Sequence, residues 1–169
     1  MEFDAFEVLQ SRGIVSFTCD LVSGLAELSV QRLPSGNAYV AEKNKYLLQL
    51  GRFFDVAKLS MQKVSGAIKK VDQAAGIRKR SSQLATALGY QVTYTSRSLK
   101  DDVYKDPTVR KARKALGSTV VGRLGNFYWP ISGRDVHIKL YAKDQHIGIF
   151  GECTEAEVTS VLSEIRGYC

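Results

Sequence analysis

Apolar and polar residues alternate through IVSFTCDLVSGLAELSVQRL, with Val15, Phe17, Cys19 and Leu21 on one face and Ala26, Leu28 and Val30 resuming it beyond Ser23-Gly24. A period of two with a two-residue turn predicts a hairpin with one buried face. In that register Leu21 meets Ala26, Cys19 meets Leu28 and Phe17 meets Val30, and Cys19 reads as a small core residue. The turn signal PSGN, Pro34 to Asn37, predicts a third strand over Ala38 to Ala41, which completes a β-meander over residues 14–42. Ahead of it, MEFDAFEVLQ predicts a short acidic helix with Phe3, Phe6 and Leu9 on one side.

From Asn44 to about Ala75 the period lengthens from 2 to 3.6. Three apolar rows run in step: Leu50, Ala57, Val64 and Val71; Phe53, Ser60, Ala67 and Ala74; Leu47, Phe54, Met61, Ile68 and Ala75. Unbroken, such a helix is roughly 45–50 Å long; Gly51 and Gly66 weaken it, Gly51 being the point at which it would divide. IRKRSSQLATALG predicts a second helical segment ending at Gly89, YQVTYTSR a strand, and SLKDDVYKD a loop or single turn. DPTVRKARKALG is a short helix with Asp106 as N-cap, Pro107 at its first position and Gly117 closing it. Val109, Ala112 and Leu116 form its apolar stripe, which leaves Arg110, Lys111, Arg113 and Lys114 to point elsewhere. These segments make a basic helical middle over residues 44–117.

The last third, residues 118–167, returns to strands. TVVGRLGNFYWPI predicts a hairpin about Gly125-Asn126, with Val120, Leu124, Phe127, Trp129 and Ile131 on one side and Val121, Arg123 and Tyr128 on the other. SGRD turns the chain into VHIKLYA, and AKDQHI turns it back into IGIF. Ala142 then faces Ile147 and Leu140 faces Ile149, while His137, Lys139, Tyr141 and Phe150 share the reverse face, with Gly148 across from Tyr141. Thr154 and Glu157 form a TxxE capping box, and Val158, Val161, Leu162 and Ile165 the stripe of a terminal helix that caps the sheet and closes at Gly167. The expected architecture is a single α+β domain over 1–169, with antiparallel strands from the N- and C-terminal thirds packed on a central helical layer containing one long helix.

Composition adds a bias to this frame. The 169 residues are 44% hydrophobic and 24% charged, ordinary for a globular protein. No run of eighteen apolar residues and no basic, apolar leader is present, so the expectation is an intracellular protein, cytoplasmic or nuclear, with no membrane partner. Cys19, Cys153 and Cys169 are widely spaced and read as free thiols. Residues 1–50 carry four Lys/Arg against six Asp/Glu, residues 51–120 fifteen against five, and residues 121–169 five against six. Almost all of the +7 excess therefore lies in the middle, which points to a polyanionic partner.

Catalytic and metal-binding patterns were sought and none is complete. GxSxG, GxxxxGK[ST], HExxH and GxGxxG are absent. His137, His146 and Cys153 lack metal-site spacing, and Asp101, Asp102 and Asp106 balance Lys100 and Lys105. The expectation is a binding protein with no cofactor and no metal rather than an enzyme. VVGRLGN, Val120 to Asn126, resembles the GxxG backbone clamp of KH domains, although NFYWPI continues as a strand where those domains place a helix. Residues 137–165 resemble the closing hairpin and helix of a half-repeat of the TATA-binding protein fold, over about a fifth of the chain. No family is assigned on either stretch.

Basic groups beside aromatic ones remain. Arg78, Lys79, Arg80, Arg110, Lys111, Arg113 and Lys114 are candidate phosphate contacts, and Arg123, Lys139, Tyr128, Tyr141 and Phe150 a candidate mixed surface on a sheet. Cations neutralise phosphates and exposed rings stack on unpaired bases, so RNA or single-stranded nucleic acid is the expected partner. The rival reading is a nucleoprotein-like or virion-like assembly protein, a homodimer or higher oligomer that self-associates through the long helix.

Overall fold

The computed structural model describes residues 14–20, 22, 24–31, 38–53, 55–58, 63–98 and 100–169. The MEFDAFEVLQ helix and the PSGN turn fall outside them. The chain divides into two compact units, Met1–Ser60 and Met61–Cys169.

In the first unit, β1 (Ile14–Asp20) and β2 (Leu25–Gln31) form the expected hairpin, shifted by two residues: Cys19 faces Ala26, Phe17 faces Leu28 and Val15 faces Val30. A shift of two preserves the faces, because side chains repeat every second residue. Cys19 is nevertheless exposed, so it is not a core residue. The third strand does not form. Ala38 instead opens α1 (Ala38–Leu50), in which Tyr39, Lys43, Tyr46 and Leu50 share the half-buried side at helical spacing. The helical period of EKNKYLLQL extends backward through Ala38–Ala41 and overrides their short apolar alternation. The helix stops at Gly51, the predicted break, and a 3₁₀ turn follows at Val56–Lys58.

The second unit is a five-stranded antiparallel sheet with helices on one face. Its α2 (Val64–Val71) buries Val64, Ala67, Ile68 and Val71, so the 44–75 stretch is two separate helices. The strands are β3 (Arg78–Ala85), β4 (Gln91–Thr95), β5 (Val121–Ile131), β6 (Arg134–Tyr141) and β7 (His146–Phe150), in the order β4-β3-β5-β6-β7. The segment expected to be a helix ending at Gly89 is the strand β3, paired on both sides; that non-local pairing outweighs its local pattern. VGRLGNFYWPI is one continuous strand rather than a hairpin. Its glycines serve packing: a Cβ at Gly122 would sit 2.6 Å from the Ile68 Cβ and 2.9 Å from the Ser65 carbonyl, so glycine there lets α2 approach β5. The turn comes later, at Ser132-Gly133, both with positive φ (49° and 77°), the geometry a two-residue hairpin loop favours.

Between β4 and β5 stands α3 (Pro107–Ala115), capped as expected by the Asp106 carboxylate, which accepts from the Thr108 N–H at 2.7 Å. The terminal α4 (Glu155–Tyr168) carries the predicted capping box and, at 14 residues, is the longest helix among the described residues; it runs one residue beyond Gly167. Phe127, Trp129, Val136, Ile138 and Leu140 from the sheet close against α2 and against Val161 and Ile165 of α4. Each such side chain contributes about 1.5–3 kcal/mol by burial. Trp129 satisfies its indole N–H on Glu164 of α4 at 2.8 Å. The α+β class holds: among the described residues there are four α-helices and two antiparallel sheets, and no helix is long and apolar enough to cross a membrane.

Candidate nucleic-acid interface

Because α2 and α4 pack on one face of the sheet, the alternate residues of every strand stand on the other. Strand register arranges them in rows. Arg78, Tyr128, His137 and Phe150 are cross-strand partners in one row; Ser81, Asn126, Lys139 and Gly148 form the next; Gln83, Leu124, Tyr141 and His146 form the third. The β6–β7 pairing is shifted by two from the expected one, so Gly148 meets Lys139 instead of Tyr141, yet His137, Lys139, Tyr141 and Phe150 keep their common face.

The rows are held by ring contacts. The Arg78 guanidinium lies over the Tyr128 ring at 4.1 Å, Tyr128 and His137 are 5.3 Å apart, and His137 stacks on Phe150 at 5.0 Å. Tyr141 stacks on His146 at 4.1 Å, and the Lys139 ammonium reaches over Phe150 at 4.9 Å. Phe150, on the outermost strand, is 45% exposed. Two irregularities interrupt the β3–β5 pairing. At the first, Arg80 is an extra residue whose guanidinium reaches the Tyr128 hydroxyl at 3.4 Å, so Arg78 and Arg80 flank one ring. At the second, the exposed Arg123 is the extra residue on β5. Bulges re-aim side chains in this way. Against these cations stands Asp135, which pairs with Arg78.

His137 sits at the centre, with its Nε2 2.5 Å from the Asn126 Oδ1. Partial burial, then the charges of Lys139 and Arg80, hold its pKa below the ordinary 6.5. The ring is therefore neutral at neutral pH, a flat partner for its aromatic neighbours rather than a cation.

The remaining predicted residues lie elsewhere. Lys79 points to the helix side, is buried, and donates to the Ala74 carbonyl. Burial lowers its pKa against the opposing pull of Asp102 and Asp72. Asp72, also buried, accepts from the Ser82 hydroxyl at 2.9 Å and the Tyr104 hydroxyl at 3.0 Å, and burial raises its pKa to about 6. Arg113 turns inward too: it is half-buried and donates to the Gly117 carbonyl at 3.3 Å, so the inner stripe of α3 is Val109, Arg113 and Leu116, with Ala112 exposed. Arg110, Lys111 and Lys114 are exposed on α3, which joins the helix side of the sheet through the Val103–Lys105 turn and its Tyr104–Asp72 bond.

The structure thus gathers Arg78, Arg80, Tyr128, Lys139, Tyr141 and Phe150 on one face, with Arg123 at its bulge, and separates Lys79 and the α3 cations from them. His137, His146 and Asn126 belong to the face although they were not among the expected site residues. The signal was present in the sequence: His137 has the parity of Lys139 and Tyr141, and Asn126 that of Tyr128. Among the described residues, no three His, Cys, Asp or Glu side chains gather as a metal would require. Compared with known proteins, the chain matches no family model, no curated protein and no solved structure.

Proposed function

We propose that the open sheet face binds single-stranded nucleic acid, RNA in preference, and that the protein acts by binding rather than by catalysis. The observation that carries this reading is the coincidence, on the face opposite α2 and α4, of Arg78, Arg80 and Lys139 with the ring rows of Tyr128, His137, Phe150, Tyr141 and His146, with the exposed Arg123 at the nearby bulge. The cations neutralise phosphates. The rings already stand in stacks, so a base adds to an ordered row, most readily at the exposed Phe150. Ser81 and Asn126 lie between the ring rows, Gln83 in line with the Tyr141–His146 row, and the three supply donors and acceptors for base edges. A flat ring-bearing face suits splayed single strands and does not enter the narrow major groove of duplex RNA.

The test is fluorescence anisotropy with a labelled single-stranded RNA, its DNA counterpart and a duplex over a salt series. Replacing Arg78, Arg80 and Lys139 together by Ala is expected to weaken single-strand binding and to flatten the slope of log K against log salt by about 2. An unchanged affinity and slope in the triple variant would remove the proposal. The rival assembly reading loses the single long helix expected to mediate it, because α1 and α2 are separate helices.

A further inference from the structure

We infer that Asp135 regulates the open face as a competitor for phosphate: its carboxylate occupies Arg78, and a bound strand must displace it. The inference rests on the reading that this face binds single-stranded nucleic acid, and it adds a residue that lowers the affinity. Asp135 stands on β6 two residues before His137 and so has the parity of His137, Lys139 and Tyr141. Its cross-strand partner is Pro130, which places it diagonally from Tyr128. From there its Oδ2 meets the Arg78 Nη2, while the Arg78 guanidinium lies over the Tyr128 ring at 4.1 Å.

This carboxylate is an exception in its surroundings. Among the described residues, Asp135 is the only acidic residue in the strands β3 to β7. Arg80, Arg123 and Lys139 form no ion pair among those residues, so Arg78 is the one cation of the group that a carboxylate holds. The Ser132-Gly133 turn does not explain the choice of Asp135. Among the described residues its carboxylate caps no amide of that turn, and its hydrogen bond goes to Arg78.

The pair is built to exchange. The Asp135 side chain is 46% exposed and that of Arg78 23%, and a pair so open to water contributes little to stability. A guanidinium binds carboxylate and phosphate oxygens with the same planar fork. A phosphodiester can therefore replace Asp135 while Arg78 keeps its plane on Tyr128. The entering strand gains one contact, breaks another, and leaves a negative charge beside its own backbone. Arg78 thus contributes less to affinity than an unpaired arginine there, and the stacking of bases on the rings must offset the displacement. Such a built-in cost disfavours polyanions that offer phosphate alone at working concentrations.

The test is fluorescence anisotropy of a labelled single-stranded RNA with the full chain and its Asp135→Asn and Glu155→Gln variants, from about 50 to 300 mM salt. Asp135→Asn is expected to bind about three- to tenfold more tightly at the low end. It should also steepen the slope of log K against log salt by about 0.7, the signature of one more phosphate neutralised. Glu155→Gln removes the same charge from α4, on the helix side, and is expected to stay within about twofold. Carbon-13 NMR of the unaltered protein adds a readout free of substitution: the Asp135 carboxyl resonance should move as RNA saturates the face, because its partner changes. An affinity that Asp135→Asn leaves unchanged or lowers, an equal gain in Glu155→Gln, or a carboxyl resonance fixed through saturation would each overturn the inference and leave the binding reading standing. Failure of both the unaltered chain and Asp135→Asn to bind RNA at any salt would overturn the two together.

Discussion

Phe127 and Tyr128 are neighbours on β5 and belong to opposite faces of the sheet. Phe127 is sealed against α2, while Tyr128 stands in a ring row under two arginines. Strand β3 makes the same division with charge: Lys79 is buried beside Asp72 and Arg78 lies on the open side. A run of cations in the sequence is therefore not a surface. Backbone alternation and one bulge decide which of Arg78, Lys79 and Arg80 can meet a phosphate, and the helix side uses its charges to satisfy an internal polar cluster.

Five measurements break or sharpen this contrast. The largest effect is expected from Phe127→Ala, which should lower unfolding free energy by about 3–5 kcal/mol, whereas Tyr128→Ala should cost about 1 kcal/mol and register mainly as weaker single-strand binding. Parallel denaturant melts and anisotropy on both variants measure this. Next, Gly122→Ala drives a methyl into Ile68 and the Ser65 carbonyl and should cost about 2 kcal/mol in a urea melt. A change of a few tenths would mean that α2 does not approach β5 so closely.

Third is the buried carboxyl. The folded pKa of Asp72 stands near 6 against an ordinary 3.8, so between these values the folded state holds a proton that the unfolded chain releases. Its contribution is greatest below pH 4 and is lost as pH rises to about 6. Asp72→Asn should remove a pH-dependent change on the order of 2 kcal/mol from urea melts across that window. Smallest are the effects on binding away from the open face. Arg110→Ala, Lys111→Ala and Lys114→Ala combined should leave single-strand affinity within about twofold at physiological salt, where charges beyond a Debye length are largely screened. On the open face, protonation of His137 adds a cation among phosphates, so affinity should rise a few-fold as pH falls below 6.5, and His137→Gln should flatten that rise. Equal losses from the α3 and sheet variants would erase the distinction between the two sides.

What the sequence revealed follows the range of the forces involved. The caps of α3 and the capping box of α4 are local hydrogen bonds between residues two or three apart, and both were readable. Alternation in VHIKLYA and IGIF named the faces of β6 and β7 correctly, and with them Lys139, Tyr141 and Phe150. Registers slipped by two in the β1–β2 and β6–β7 hairpins, and the hairpin expected about Gly125-Asn126 is a single strand, because turn length and position, unlike parity, leave little trace in composition. β3 was misread as a helix because RKRSSQLA has few apolar residues and an irregular period, and its identity comes from partners on β4 and β5. The placement of Arg80 beside Tyr128 depends on that pairing, so residues 48 apart met for a reason no local pattern encodes.

The bulge at Arg80 leaves the residue without a partner on β5, while on the β4 side its carbonyl accepts from the Ser96 N–H at 2.8 Å. A polypeptide shortened by that single codon would run Arg78, Lys79, Ser81 and Ser82 in plain alternation, each on the side it already occupies. Such a deletion would subtract a guanidinium from the outer surface and keep the β5 register, at the loss of the Ser96 bond on the β4 side, so one codon there ties recognition to the end of the β3–β4 ladder.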